Sequence, residues 1–348
     1  AIASTQMKNP SLKALRIRCP NEVSSEDAAA FAEMLSHNQV LKELCLEGNI
    51  EVEGAIAIAS ALKTKSVLRK LSLYSNNIGD KGAIAIASAL KTNSTLENLD
   101  LRCNNIGDEG AIAMANALKT NSTLENLNLQ ENNIGDEVLS SIIKTLKTNT
   151  SITTFNLDLQ SKTSSADLAD LLSENKTIEH LRIYDLHGSI AAIASTQMKN
   201  PSLKALRIRC PNEVSSEDAA AFAEMLSHNQ VLRKLRLEGN IEVEGAIAIA
   251  SALKTKSVLR KLSLYSNNIG DKGAIAIASA LKTNSTLEKL DLRCNNIGDE
   301  GAIAMANALK TNSTLENLNL QGNNIGDEGT ISMANALKTN STLRSLDL

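Results

Sequence analysis

From Thr95 to Ser122 the chain reads TLENLDLRCNNIGDEGAIAMANALKTNS, and another unit of the same form follows directly. This fixed period restricts the fold more than any other property of the sequence. One unit is too short to bury its own apolar surface, so it must stack on neighbours and share a continuous core with them. The first strand hydrophobe falls at Leu12, Leu41, Leu68, Leu96, Leu124, Ile152, Ile178, Leu203, Leu232, Leu259, Leu287, Leu315 and Leu343. The spacings are 29, 27, 28, 28, 28, 26 and 25, then 29, 27, 28, 28 and 28. Thirteen units are therefore expected.

Each unit divides in two. Leu96-x-x-Leu99-x-Leu101 alternates apolar and polar residues near its end, as a short strand with one buried face requires. Asn104 follows, and an amide there can bond backbone groups of the neighbouring turn that would otherwise be buried and unpaired. Gly107 allows a tight or left-handed bend, and Asp108 is a plausible helix cap. Gly110–Lys119 then reads as a helix. The stretch AIAIASAL in other units alternates like a strand, but alanine favours helix and is depleted in strands.

The pattern LxxLxLxxNxIGDEGAxxxAxAL at 28 residues resembles the ribonuclease-inhibitor type of leucine-rich repeat. That type also occurs in the GTPase-activating protein for Ran and in the sensor arms of NOD-like receptors. The resemblance covers nearly the whole chain. It implies an α/β leucine-rich-repeat solenoid of about thirteen repeats, a horseshoe with parallel strands on the concave face and helices on the convex face. Function does not follow from such a fold, which serves inhibitors, receptors, scaffolds and activators alike.

The chain is also duplicated. Residues 1–137 match 192–328 with five differences. A single solenoid over 1–348 is expected, made of a first copy (1–137), irregular joining repeats (138–191), a second copy (192–328) and a truncated last repeat (329–348). The repeats at Ile152 and Ile178 lack the Asn-x-Ile-Gly turn, and Phe155 replaces a strand leucine. Curvature or twist is expected to change near 155–190, without a flexible linker. Ala1 aligns inside a helix of copy two and Leu348 ends on a strand, so a trimmed fragment is expected, able to associate end to end through uncapped termini.

Composition narrows the function classes. The net charge is -3, aromatic residues make up 2%, and Trp is absent, so leucine, isoleucine and alanine must fill the core. There is no apolar run of membrane-spanning length. The five cysteines, Cys19, Cys45, Cys103, Cys210 and Cys294, form no CxxC pair. An odd set of free thiols points to a reducing, cytoplasmic setting and not to metal. Seven N-x-S/T sequons occur at Asn93, Asn121, Asn149, Asn175, Asn284, Asn312 and Asn340, and read as a recurrent helix-to-strand loop. No phosphate-binding or cofactor motif is present, so no cofactor is expected.

Candidate recognition residues come from the strands, which line the concave face in this fold. The five differences between copies are Lys42 to Arg233, Glu43 to Lys234, Cys45 to Arg236, Asn98 to Lys289 and Glu131 to Gly322. All fall on strand or just-past-strand positions, and together they make copy two more positive. Neutral drift would also strike exposed helix positions such as Lys91 or Glu109, which are unchanged. Binding function commonly sits on variable surface over a rigid scaffold. Tyr74, Tyr184 and Tyr265, the only tyrosines, share one position after the last strand Leu or Ile. Tyrosine and arginine are enriched in binding hot spots. Around Tyr265, Arg207, Arg209, Arg233, Lys234, Arg236, Arg260 and Lys261 are expected to gather into one basic patch, extended by Lys289 and Arg293. Copy one carries a weaker version: Arg16, Arg18, Lys42, Arg69, Lys70, Tyr74 and Arg102. Elsewhere Glu97, Asp100, Glu125, Glu131 and Asp158 make the face mixed or acidic. Phe31, Phe155 and Phe222 read as core.

His37 and His228 are copies of one loop residue, and His180 and His187 flank Asp185 in an irregular repeat. Nothing recurs beside them at a spacing that assembles a triad, so no catalytic residue is assigned. The expected function is a non-enzymatic scaffold that grips a protein partner with an acidic surface. Resemblance alone supports a GTPase activator as an alternative, and near-exact duplication supports an engineered or consensus array without a natural ligand. Nucleic acid is a poor fit to the global charge and the shortage of stacking aromatics.

Overall fold

The computed structural model describes residues 11–18, 25–64, 66–158, 165–184, 186, 190–197, 199–211, 214–255 and 257–348. Contacts group the chain into two compact units, residues 1–163 with 174–178, and 164–173 with 179–348. The first holds strands β1 (Ala14–Arg18), β2 (Glu43–Glu47), β3 (Lys70–Ser72), β4 (Asn98–Asp100), β5 (Asn126–Asn128) and β6 (Thr154–Asp158). The second holds β7 (His180–Tyr184), β8 (Ala205–Arg209), β9 (Lys234–Glu238), β10 (Lys261–Ser263), β11 (Lys289–Asp291), β12 (Asn317–Asn319) and β13 (Ser345–Asp347). Within each unit every strand pairs in parallel with the next. A helix follows each strand but the last among the described elements, completing a leucine-rich-repeat solenoid.

Register makes the core. Leu44, Leu71, Leu99, Leu127 and Phe155 are mutual partners across β2 to β6, and all are buried. Leu206, Leu235, Leu262, Leu290 and Leu318 form the same row in the second unit. Phe155 fills a leucine slot without leaving the row, and Phe31 and Phe222 are buried as expected. The ambiguous AIAIASAL stretch is helical. In the helix Gly79–Leu90 the buried residues Gly82, Ala83, Ile86, Ala87, Ala89 and Leu90 recur with helical period, whereas Ile84 faces outward.

The turns after β3, β4, β5, β10, β11 and β12 are closed by asparagine. The Asn104 amide donates to Leu73 O at 2.7 Å and Arg102 O at 2.9 Å, and its oxygen accepts from Asn76 N at 3.0 Å and Ile78 N at 3.4 Å. Asn76, Asn267 and Asn295 do the same, and all four are fully buried. A second ladder was not anticipated. At the helix-to-strand turn, Asn121 Nδ2 reaches Leu90 O at 2.8 Å and Asn93 O at 3.1 Å, while Oδ1 takes the N–H groups of Thr123 and Leu124. Asn93, Asn149, Asn175, Asn284 and Asn312 repeat the arrangement in the buried interior. The amide nitrogens of these sequons are therefore structural donors.

Two local expectations are corrected. Asp108 does not cap its own helix; the N-cap of Asp108–Leu118 is Gly107, with no side-chain cap. The aspartate reaches into the next repeat, where Asp108 Oδ1 accepts from Gly135 N at 2.7 Å, just as Asp80 Oδ1 accepts from Gly107 N and Gly110 N at 2.8 Å. Gly107 is not left-handed either, at φ -99°. It is glycine because a Cβ there would lie 3.0 Å from Asp80 Oδ2. The expected change of curvature near 155–190 falls partly on 159–164, 185 and 187–189, outside the described residues.

Replacing Asn104 by alanine strands Leu73 O, Asn76 N and Ile78 N in the core. Each unpaired buried group costs about 1–3 kcal/mol, so urea denaturation should show a loss of at least about 3 kcal/mol. Asn105→Gly, at a left-handed φ of 54°, should change stability by less than about 0.5 kcal/mol. Gly110→Ala should destabilise although alanine is the better helix former. A Cβ there meets Asp80 Oδ1 at 2.8 Å and Ala83 Cβ at 2.9 Å, and overpacking of about 1–3 kcal/mol outweighs a propensity gain of about 1 kcal/mol.

Candidate recognition face

The pleat that buries the leucines turns the alternate residues outward, on the sheet face away from the helices. Register sorts them into rows. In the second unit the first row contains His180, Ala205, Lys234, Lys261, Lys289, Asn317 and Ser345. The second contains Arg182, Arg207, Arg236, Ser263, Asp291, Asn319 and Asp347. Two residues farther along each chain lie Tyr184, Arg209, Glu238, Tyr265 and Arg293.

The single basic patch expected around Tyr265 is not what these rows make. The arginines of the last two rows are largely spent within the molecule. Arg207 Nη2 bonds Glu238 Oε1 at 2.9 Å, and Arg236 Nε bonds the same carboxylate. The Arg236 and Arg293 guanidiniums lie 5.4 and 5.2 Å from the Tyr265 ring centroid. Arg207 sits 4.9 Å over Tyr184 instead. Arg293 also grips Asp291 through Nε at 2.9 Å and Nη2 at 2.8 Å. Burial pushes the Asp291 carboxyl up, but the hydrogen bonds from Arg293 outweigh it and hold Asp291 below the usual carboxylate range.

Arg233 and Arg260 also leave the tyrosine cluster, because each precedes its strand. They line a shallow groove at the strand-entry edge with Val258, Ser285 and Glu288. There Arg260 pairs with Glu288 and Arg233 Nη1 donates to Val258 O at 3.1 Å, and in the preceding repeat Lys204 pairs with Glu179 at 2.6 Å. Arg209 is exposed at the end of β8, across from Glu238.

Besides the exposed Arg182 at the edge of the second row, what remains is the first row. Lys234, Lys261 and Lys289 are in-register partners on three adjacent strands. None of them makes an ion pair among the described residues. The field of this row is felt at His180, whose pKa is lowered first by burial and then by Lys234.

In the first unit the same positions neutralise one another. Lys70 pairs with Glu43 at 3.0 Å, and Asn98 follows in register. Arg18 pairs with Glu47 at 2.7 Å, Arg69 pairs with Glu97, and Arg102 binds Asp100 at 2.7 Å while lying 5.1 Å over Tyr74. Arg16 is exposed opposite Cys45. The tyrosines thus do share one position, each under an arginine. Lysine register and acid pairing were not foreseen. The sequence signal was the lysine before the central leucine in RKL, RKL and EKL at 233–235, 260–262 and 288–290.

The fifth difference between copies has another cause. Glu131 and Gly322 lie in the turn, at φ 56° and 69°, not on the strand face. Glycine adopts this left-handed conformation without strain. The change also removes the Glu131 oxygen that Cys103 Sγ meets at 2.9 Å. Burial first, and the bond to Glu131 second, raise the Cys103 thiol pKa. Cys45, Cys103, Cys210 and Cys294 are free thiols, and burial pushes Cys210 up to about 12. His37 and His228 contact the carbonyls of Glu33 and Glu224 in their own helices. Cys19, His187 and Asp185 lie outside the described residues, as does the Asp158 side chain. Among the described residues no three His, Cys, Asp or Glu side chains converge as a metal site, and no helix is long and apolar enough to cross a membrane.

The TMOD/LMOD leucine-rich domain matches residues 49–178 and 240–348, well over half of the chain. The chain belongs to this family. The leucine-rich-repeat resemblance is thereby borne out, although the matching family is TMOD/LMOD. Among solved structures, an internalin (inlF) from Listeria monocytogenes is similar at 20% identity and TM-score 0.52, covering 97% of this chain and 87% of that one. Rad7, solved in complex with Elc1 in yeast, is similar at 16% identity and TM-score 0.56, covering 94% and 83%. Leiomodin-1 actin-binding site 2 aligns over 56% of this chain and 85% of that one, at 22% identity and TM-score 0.32. No curated protein matches the chain.

Lys234→Glu should raise the His180 pKa, because it replaces the cation that disfavours imidazolium with an anion that favours it. An NMR titration of the imidazole reads the shift directly.

Proposed function

We propose that this TMOD/LMOD-family chain is a non-enzymatic scaffold that recognises a protein partner on the sheet face of its second unit. The partner presents an acidic surface. One observation carries the reading: four of the five differences between copies fall on or beside the strands, and they turn a self-neutralised face into one with unpaired lysines. The identical helices leave the scaffold unchanged beneath it. Tyr265, held between two arginines, offers a rigid amphipathic contact at low entropic cost. Its engagement by arginine also weakens the case for nucleic acid, which needs an open aromatic face for stacking. Complementary charge of this kind raises association rate and selectivity more than affinity. The free thiols fit a reducing, cytoplasmic compartment, and a stable disulfide in chain isolated from its source would overturn that placement.

Captured proteins should be released by salt, since exposed charges are screened within about 8 Å at physiological ionic strength. Tyr265→Ala, and Arg236→Ala through loss of one of the two arginines that hold Tyr265, should each weaken capture by about tenfold or more, in line with hot-spot losses above about 1.4 kcal/mol. Unchanged capture by both variants would overturn the reading.

A further inference from the structure

We propose that the Lys234–Lys261–Lys289 row is the docking site for an acidic α-helix of the partner, lying across the strands with a carboxylate stripe at i, i+4 and i+7. This deepens the recognition reading above and rests on it.

Spacing selects the helix. Neighbouring strands lie about 4.8 Å apart, so the bases of the three lysines span about 10 Å. A helix rises about 1.5 Å per residue, so its i and i+7 side chains are separated by about 10.5 Å, with i+4 between them on the same face. In an extended peptide, three successive same-face side chains span about 13 Å. The helical stripe thus meets each ammonium in turn.

Charge selects the acid. Carboxylates around this row are already taken: Glu238 by Arg207 and Arg236, Asp291 by Arg293, Glu288 by Arg260, and Glu179 by Lys204. The lysines therefore have no internal counter-ion among the described residues. No acidic residue interrupts the row from His180 to Ser345. The first unit supplies the contrast, for Glu43, Lys70 and Asn98 in the same register carry no net charge, and Lys70 is occupied by Glu43. Two replacements create the site, Glu43 becoming Lys234 and Asn98 becoming Lys289. Both leave the leucines between them untouched, so the spacing of the row is set by the sheet.

The test uses the full chain and two fluorescent helix-forming peptides of identical composition. One carries glutamates at i, i+4 and i+7; the other disperses them around the helix. An oligothymidine of similar charge is the third probe. The striped peptide should bind at least about tenfold tighter than the dispersed peptide and the oligothymidine, by the arithmetic of about 1.4 kcal/mol per tenfold. The double variant Lys234→Glu with Lys289→Asn should lose that binding. It restores residues that the first unit already accommodates at these positions, so folding is not at stake. Equal binding of the two peptides, tighter binding of the oligothymidine, an indifferent double variant, or no peptide binding would each overturn the proposal. If the peptides fail while Arg236→Ala and Tyr265→Ala still lose their captured protein, the recognition face stands and only the helix is withdrawn.

Discussion

A buried amide that fits no regular hydrogen-bond ladder holds this solenoid together. Where strands end and helices have not begun, the backbone turns inside the molecule with its polar groups exposed to a leucine core. Asn104 satisfies four of those groups at once, on its own repeat and the one before it. Asn121 does the same at the opposite turn. Leaving such groups unpaired costs more than the bonds themselves contribute. The period of the chain therefore cannot vary freely, because each amide must meet the neighbour's carbonyl.

That rigidity lets the outward residues act as a surface. Side chains on adjacent strands stand at fixed steps, so a substitution changes chemistry without moving its neighbours. The second unit shows what this permits. Arg236 and Arg207 share Glu238, and Arg293 holds Asp291 beside Tyr265, so much of the added positive charge is absorbed internally. Lys234 and Lys289 are not absorbed and line up with Lys261. A count of basic residues would rank the arginines first. Pairing reverses the order.

Contacts between repeats also explain residues that look ordinary within one repeat. Asp80 caps the turn of the following repeat, and Gly107 and Gly110 are glycine because that carboxylate comes so close. Within its own repeat Asp108 looks like a helix cap, but its carboxylate serves the next repeat, at Gly135. Glu131 and Gly322 sit next to a strand in the sequence, yet their left-handed φ belongs to the turn.

The number of units, the alternation of strand and helix, the leucine rows and the first asparagine ladder are legible in the chain of residues alone. These follow from periodicity, because a residue that recurs every 28 positions must face the same environment each time. The differences between copies, near the strands, are legible there too. Which cations are neutralised, which aspartate serves which repeat, and which arginine covers which tyrosine emerge from the folded arrangement. Most of those outcomes depend on distances between residues roughly one repeat apart in the chain, such as Arg207 with Glu238 and Asp80 with Gly107. Composition and period are blind to such pairings, because ion pairs and caps are settled by a few ångströms of register.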